Sequence, residues 1–315
     1  MSCVISASRR TDIPAFYSDW LITRLREGRV VVRQPYSGKY FSVSLRPEEV
    51  NAVVFWSKNY APLLGKLDQV ERCTRNLFFH FTITGNRELE NNVPDRQDAV
   101  RDYRFLAKRY TSAHLVWRYD PICITDKLSF ETLEERFIHL AELLKGFADR
   151  CIISFVHPYR KVLVNMADYT DHRLLDVPLE QKKEYAGRLA CLASRYGIRL
   201  SACCNDHLVS GPVTKAACID GRYLSGLFAA DLDTRPASTR TECACTRSID
   251  IGAYDTCAHG CAYCYANTDK ERAEAAQRRH DPTGNSLGRQ VPEEMIGQGD
   301  QRDRMRPQTT LPLLE

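Results

Sequence analysis

The 315-residue sequence contains no apolar run approaching the eighteen or so residues that a membrane span requires, which predicts a protein with no membrane partner. Its opening, MSCVISASRR, lacks the basic-then-apolar profile of a signal peptide, so a cytoplasmic location is expected. A large charge of one sign is also missing. Lys and Arg total 44 against 40 Asp and Glu, a formal +4 that permits nucleic-acid binding without predicting it. Nor is the chain poor in hydrophobic residues. An apolar fraction of 43%, with 15 Tyr, 12 Phe and 3 Trp, suffices for a sizeable core and excludes global disorder.

Cysteine is what the sequence has in excess. Thirteen thiols, an odd number, argue against a disulfide framework in a reducing compartment, where clustered cysteines more often bind metal. Eight of the thirteen lie between Cys203 and Cys264. Cys3, Cys73, Cys123, Cys151 and Cys191 stand alone or in apolar runs and read as structural.

Short, mostly unbroken apolar runs recur at 3–8, 52–56, 77–83, 114–119, 151–156 and 198–204, the pattern of strands buried on both faces of a parallel sheet. Helical spacing follows most of them, clearest at 14–28, 96–110, 130–147 and 179–197, with a shorter candidate at 60–70. This alternation predicts an α/β fold with a parallel (β/α) barrel or partial barrel, TIM-like. Residues 1–200 would form the barrel core and 201–267 a cysteine-rich segment completing it. The remainder, 268–315, reads as a polar, loosely ordered tail after a short helix.

In a parallel barrel the loops after the strands converge on one rim, which is where such folds keep their chemistry. That rule gathers Arg9, Arg10, Thr11, Asp12, Lys58, Asn59, Thr84, Arg118, Asp120, His157 and Asn205. Arg9, Arg10 and Arg118 are expected to grip anionic groups through bidentate guanidinium contacts. Asp12 and Asp120 would orient hydroxyls or an amine, with Lys58 beside them. For each residue singly, a surface ion pair or a solvated strand end is the plainer reading. Trp56 and Trp117 fit barrel core as well as a substrate wall.

Cys257, Cys261 and Cys264 have the spacing C-x3-C-x2-C. Three thiolates on one loop hold a 4Fe-4S cluster with one iron left open, and an open iron can chelate a small molecule. Zinc is the competing reading, since it takes four ligands in a closed site and His259 or a distant cysteine would supply the fourth. The spacing alone does not separate the two.

The stretch 257-CAHGCAYCYAN-267 resembles the cysteine motif of radical S-adenosylmethionine enzymes, particularly the spore photoproduct lyase group. That resemblance implies Cys257, Cys261 and Cys264 as cluster ligands, S-adenosylmethionine on the fourth iron, and a 5'-deoxyadenosyl radical that abstracts hydrogen from substrate. It also implies Tyr263 and Asn267 near the cofactor and an electron donor such as flavodoxin or ferredoxin. Across 4-VISASRRTDIPAFY-17, 53-VVFWSKN-59, 116-VWRYDPI-122, 152-IISFV-156 and 248-SIDIGAYDTCAHGCAYCYAN-267, the chain resembles the bacterial family called domain of unknown function 1848. Two departures from radical enzymes stand out. The cysteine loop lies near the end of the chain rather than after the first strand, and no G-G-E segment is present. A circular permutation, with 248–254 as a strand beside the first, would put the cysteine loop on the same rim as Arg9 and Arg10. Ser6, Ser8, Arg9 and Arg10 would then occupy the place of the missing G-G-E.

Cys204, Cys218, Cys243 and Cys245 form a second candidate set, for a further 4Fe-4S cluster or for zinc. A cluster is the preferred reading given the neighbouring triad, and four unrelated buried thiols the plain one. Neighbouring strand residues face opposite ways, so only one of Cys203 and Cys204 is expected at the metal, and Cys204 at the strand end is preferred. The leading function is therefore an iron-sulfur enzyme of radical type on an unknown small-molecule substrate. The alternatives are a protein with structural metal sites and a nucleic-acid repair or modification factor.

Overall fold

The computed structural model describes residues 3–35 and 37–297. Among the described residues eleven strands are formed: β1 (Cys3–Ala7), β2 (Arg29–Arg33), β3 (Tyr40–Ser44), β4 (Val50–Ser57), β5 (Leu77–Thr82), β6 (Leu115–Ile122), β7 (Arg150–Phe155), β8 (Arg199–Ala202), β9 (Thr214–Lys215), β10 (Ile249–Asp250) and β11 (Ile296–Gly297). Eight make one sheet in the order β10-β1-β4-β5-β6-β7-β8-β9. Every pairing in it is parallel. Among the described residues β9 and β10 do not pair, so the sheet is a partial barrel that stays open. The 201–267 segment supplies both edge strands rather than a closing seam.

All six strands anticipated from apolar runs are present. Their alternate residues divide between two cores, as the two-residue period of a strand demands. Ile5, Val53, Phe55, Phe79, Phe81, Trp117 and Ile153 pack outward under helices that include Arg96–Tyr110, Phe130–Leu144 and Leu179–Ser194. Val4, Val54, Phe78, Val116 and Ile152 face the concave side, where Cys203, Cys218, Ile219, Leu224, Cys243 and Cys245 cover them. The cysteine-rich segment thus lies across the inner face of the open sheet.

The helix expected at 14–28 is divided. Asp12 caps a short helix, Ile13–Phe16, by accepting from the Ala15 N–H at 2.9 Å, and Tyr17 leaves helical geometry before Ser18–Glu27. Gly28, at φ +68°, ends the second helix in the left-handed conformation that glycine tolerates. β2 and β3 pair antiparallel in a small separate sheet, and β11 joins β3. Residues 268–297, expected to be loosely ordered after a helix, are tied to the body. They form the helix Lys270–Arg278, Leu287 joins the main core, and Trp20 Nε1 donates to the Gly284 carbonyl at 2.9 Å. Positions 298–315 of that tail lie outside the described residues. Among the described residues, no helix is long and apolar enough to cross a membrane.

Candidate metal centre

β10 delivers the cysteine loop, and it lies parallel beside β1 with Ser6 opposite Asp250. The loops after these two strands therefore leave the same edge of the sheet. Asp250 joins them. Its buried carboxylate accepts from Ser6 Oγ at 2.7 Å, Ser8 Oγ at 2.6 Å, the Arg9 N–H at 2.9 Å and the Gly252 N–H at 3.0 Å. Arg9 Nε and Arg10 Nε stand 3.7 and 4.0 Å away. Burial pushes this carboxyl up, but Arg10 and then Arg9 outweigh it and hold the group below the usual range. The approach is so close that a Cβ on Gly252 would lie 2.0 Å from Ser8 Oγ. Ser6 and Ser8, expected to meet a cofactor, spend their hydroxyl hydrogens on Asp250 instead.

Downstream, the loop backbone is held by side chains from elsewhere in the chain. Tyr17 donates to the Thr256 carbonyl at 2.5 Å, Asn267 Nδ2 to that of Cys257 at 2.6 Å and Asn165 Nδ2 to that of Cys264 at 2.8 Å. The Asn92 side chain donates to Ala258 O at 2.9 Å, and the Ala262 N–H reaches Leu89 O at 2.8 Å. Gly260, at φ +67°, makes the turn between Cys257 and Cys261. Burial raises all three thiols, Cys261 to about 12. Lysines oppose that effect. Lys58 and Lys270 favour the Cys261 thiolate, and Lys270 and Lys161 that of Cys264. Lys270 Nζ is buried without a hydrogen-bond partner among the described residues, 4.1 Å over the Tyr169 ring.

Two acids organise the wall beside the loop. Glu90 accepts from Lys58 Nζ at 2.9 Å, Thr84 Oγ1 at 2.6 Å and the Tyr263 hydroxyl. Asp12 accepts from Ser57 Oγ at 2.8 Å and the Lys58 N–H at 2.8 Å, and faces His259 Nε2 at 2.7 Å. With its helix cap added, Asp12 is committed to structure rather than free to orient a ligand. His259 Nδ1 faces the Asn92 carbonyl at 3.1 Å. Both ring nitrogens are thus engaged with oxygens, which removes the nearby fourth ligand that the zinc reading of the triad relied on.

The second set assembles from three separate segments, with one member added. β8 ends at Ala202, and Cys204 adopts φ +52°, so the strict alternation of a strand no longer separates Cys203 from Cys204. Cys203 Sγ lies 3.1 Å from Cys218 Sγ and 3.7 Å from Cys204 Sγ. The thiols of Cys204 and Cys245 neighbour that of Cys243, and the Cys245 thiol neighbours that of Cys218, completing a ring of five. The expectation that Cys203 points away is corrected by this turn. Neighbour meets neighbour around this ring, yet among the described residues no three His, Cys, Asp or Glu converge on one point to hold a metal ion, in this set or in the triad.

Residues 4–266, which include both cysteine sets, match a family described as a domain of unknown function, DUF1848. The chain belongs to the DUF1848 family. No curated protein matches it. Among solved structures, the carboxyl transferase domain from Rhizobium etli pyruvate carboxylase is similar over 64% of this chain at 10% identity, with a TM-score of 0.26. The same domain with 3-hydroxypyruvate gives the same figures. The chain spans only 39% of those structures, and a likeness this low carries neither fold nor function.

Within this DUF1848 chain the remaining rim residues divide. Arg118 pairs with Asp120 and sends Nη1 to Cys218 Sγ at 3.1 Å, while Asp120 also accepts from Ser154. Arg9 lies over Trp56, 5.9 Å from its ring centre, and Trp56 stacks on His80 at 4.8 Å. Trp117 is outer core. Asn59 and Asn205 accept from the backbone at Ala61 and Phe155, at 3.1 and 2.8 Å. Thr11 is buried, and His157 packs on Tyr159 with ring centres 4.2 Å apart. A cavity of about 600 Å³ opens at the other, N-terminal end of the concave face, lined by Phe78, His80, Val116, Arg150, Ile152 and Tyr223 among others. None of the expected rim residues lines it. Sequence reasoning missed Glu90, Asp250, Asn165 and Lys270. Only Asp250 carried a local signal, its place in the strand-like run before the loop.

Proposed function

We propose that the chain is an iron-sulfur enzyme of the radical S-adenosylmethionine type. The observation that carries this reading is the parallel pairing of β10 with β1, which sets the C-x3-C-x2-C loop and the Arg9–Arg10 loop on one rim. That neighbour relation is what a circular permutation of the radical-enzyme arrangement requires, since barrel geometry follows spatial order rather than chain ends.

The donor chemistry, three thiols on one loop, suits such a group. Cys257, Cys261 and Cys264 would hold a 4Fe-4S cluster. They share one loop, Cys261 buried and Cys257 and Cys264 half-buried, and Lys58, Lys161 and Lys270 nearby carry charge that offsets that of thiolate ligands. Lys270 Nζ and Asn267 Oδ1, without hydrogen-bond partners among the described residues, leave two buried polar atoms at the loop for added negative charge and a donor. When bound, a cluster with an open iron and S-adenosylmethionine supplies one-electron cleavage to methionine and a 5'-deoxyadenosyl radical that abstracts hydrogen. The chain's own part is to orient and to neutralise. Asp250 fixes Arg9 and Arg10 toward an anionic group, and Glu90 holds Lys58 and Tyr263 beside Cys261. Arg118 and Asp120 lie farther along the concave face, toward a small-molecule substrate. A flavodoxin or ferredoxin would deliver the electron.

Iron and sulfide quantitation on anaerobically prepared protein tests this, with Cys257→Ala/Cys261→Ala/Cys264→Ala alongside. About four irons per chain are expected to disappear in the triple variant. Wild-type protein reduced with S-adenosylmethionine should release 5'-deoxyadenosine and methionine. Equal iron in both proteins, or iron without cofactor cleavage, overturns the reading.

A further inference from the structure

We propose that the cavity at the N-terminal end of the concave face binds a small organic anion, with its carboxylate or phosphate between Arg150 and Arg199 and its apolar body along Ile152 and Tyr223. The site is independent of the radical reading. It lies at the strand ends opposite to those from which the Cys257–Cys264 loop leaves.

Two guanidiniums stand together there without an acid. Arg150 and Arg199 open β7 and β8 and are register partners across that parallel pair. Ile152, two positions along β7, packs into the concave core, so strand alternation turns both arginines to the same face. Like charges side by side in a sheet repel. Among the described residues neither arginine forms a salt bridge, and Nε and Nη1 of Arg150 donate to no group. Its guanidinium lies 4.0 Å over the Tyr223 ring and 5.4 Å over Phe78, which hold it in place without supplying a counter-charge. Burial is the main cause that lowers the pKa of Arg150, and Arg199 adds to it. An anion between the two replaces that repulsion with attraction, and each planar guanidinium can take two oxygens at once.

The other charges on the wall are engaged within the protein. Lys215 Nζ pairs with Asp206 at 2.6 Å. Asp220 caps the helix Gly221–Phe228, accepting from the N–H groups of Arg222 and Tyr223 at 3.1 and 3.0 Å. The wall is also braced before any ligand arrives, because the Ala113 carbonyl accepts from both Arg150 Nη2 at 2.7 Å and the Tyr223 hydroxyl at 2.8 Å. Size then limits the ligand. A space of about 600 Å³ is far larger than a bare inorganic anion fills, and it falls within the range of about 300–1,000 Å³ usual for small organic ligands. Val116, Ile152, Phe78 and Tyr223 make its sides apolar and aromatic, which suits an anion carried on a ring. Such a ligand would tie β7 and β8 to the helix Gly221–Phe228 through Tyr223.

The test is isothermal titration calorimetry of the full-length protein with naphthyl phosphate, naphthoate, inorganic phosphate and naphthol. At least one of the two naphthyl anions is expected to bind, and the tighter of them tells a phosphate site from a carboxylate site. Inorganic phosphate lacks the ring and naphthol lacks the charge, so each should bind at least about tenfold more weakly. Arg199→Gln, at an exposed side chain, should weaken the naphthyl anion by about tenfold or more, and Arg150→Gln by up to about a hundredfold. Arg150 also braces two carbonyls, so Arg199→Gln carries the test if Arg150→Gln does not fold. Wild-type affinity is expected in Cys257→Ala/Cys261→Ala/Cys264→Ala, which keeps the result separate from the radical reading. The proposal is overturned if neither naphthyl anion binds, if naphthol or inorganic phosphate binds as tightly as they do, or if Arg199→Gln leaves their affinity unchanged. Loss of binding in the triple cysteine variant would place the probe at the other end of the sheet and overturn it as well.

Discussion

The two cysteine sets are built in opposite ways. Cys257, Cys261 and Cys264 belong to one eight-residue stretch, and the fold's work there is to hold the loop backbone by its carbonyls with Asn165, Asn267 and Tyr17. Cys203, Cys204, Cys218, Cys243 and Cys245 come from three segments, and the sulfurs themselves make the contacts. The first arrangement keeps thiols on a rim without closing them on a point. The second draws them together on the covered inner face of the sheet. Spacing along a chain therefore says much about a loop site and little about a site made by topology.

The contrast breaks most severely at Asp250, which anchors the loop set alone. Asp250→Ala leaves the buried Arg10 and the half-buried Arg9 without their carboxylate. Removing one partner of such a group costs about 3–5 kcal/mol, read by urea unfolding. Thiols of the 257–264 loop should gain reactivity toward a thiol reagent before those of the ring. Equal exposure of both sets would mean that they share one anchor. The pH dependence has a definite sign. The folded carboxyl lies below its unfolded value of about 3.9, so its stabilisation is present above that pH and lost as pH falls through the folded value. Asp250→Asn should flatten this part of the acid-unfolding profile.

A smaller effect is expected at Gly252, where the same two loops touch sterically. Gly252→Ala places a methyl 2.0 Å from Ser8 Oγ and 2.6 Å from its Cβ. Such overpacking costs about 1–3 kcal/mol. Pairing it with Ser8→Gly should recover part of the loss in a double-mutant cycle of unfolding energies, because the two sites share the contact. Strict additivity would show that the loops have moved apart and that the rim is not built on this contact.

How much of this the sequence displayed follows from the same distinction. The six main strands were legible because each is buried on both sides and reads as an unbroken apolar run. β10, only Ile249–Asp250, was legible because it lies in a longer apolar stretch that ends at the cysteine loop. β9, the exposed pair Thr214–Lys215, gives no such signal, and β2 and β3 form a small hairpin sheet outside the strand-helix rhythm. Tyr17 divided a helix that periodicity joined. At the site, residue types were readable but partners were not. Ser6, Ser8 and Asp12 have the chemistry of ligand contacts, yet their own acceptors and donors lie up to 247 positions away. Cys203 and Cys204 share the concave side because strand alternation lapses after Ala202, where β8 ends.

The smallest expected effect lies where the loop set touches the early loop from outside. Tyr265 is 41% exposed, and its hydroxyl donates to the Arg9 carbonyl at 2.7 Å. Tyr265→Phe deletes that bond and leaves the ring in place. A bond of this kind contributes about 0.5–1.5 kcal/mol, and the lower end is expected because water can reach the carbonyl the tyrosine leaves. Asp250 still holds the Arg9 N–H and guanidinium, so iron content should match wild type while the unfolding midpoint drops slightly. If iron falls as well, the hydroxyl is fixing the approach of the early loop to the cysteines. The loop set then depends on contacts across segments as the ring does, and the difference between the two sets narrows to sulfur spacing alone.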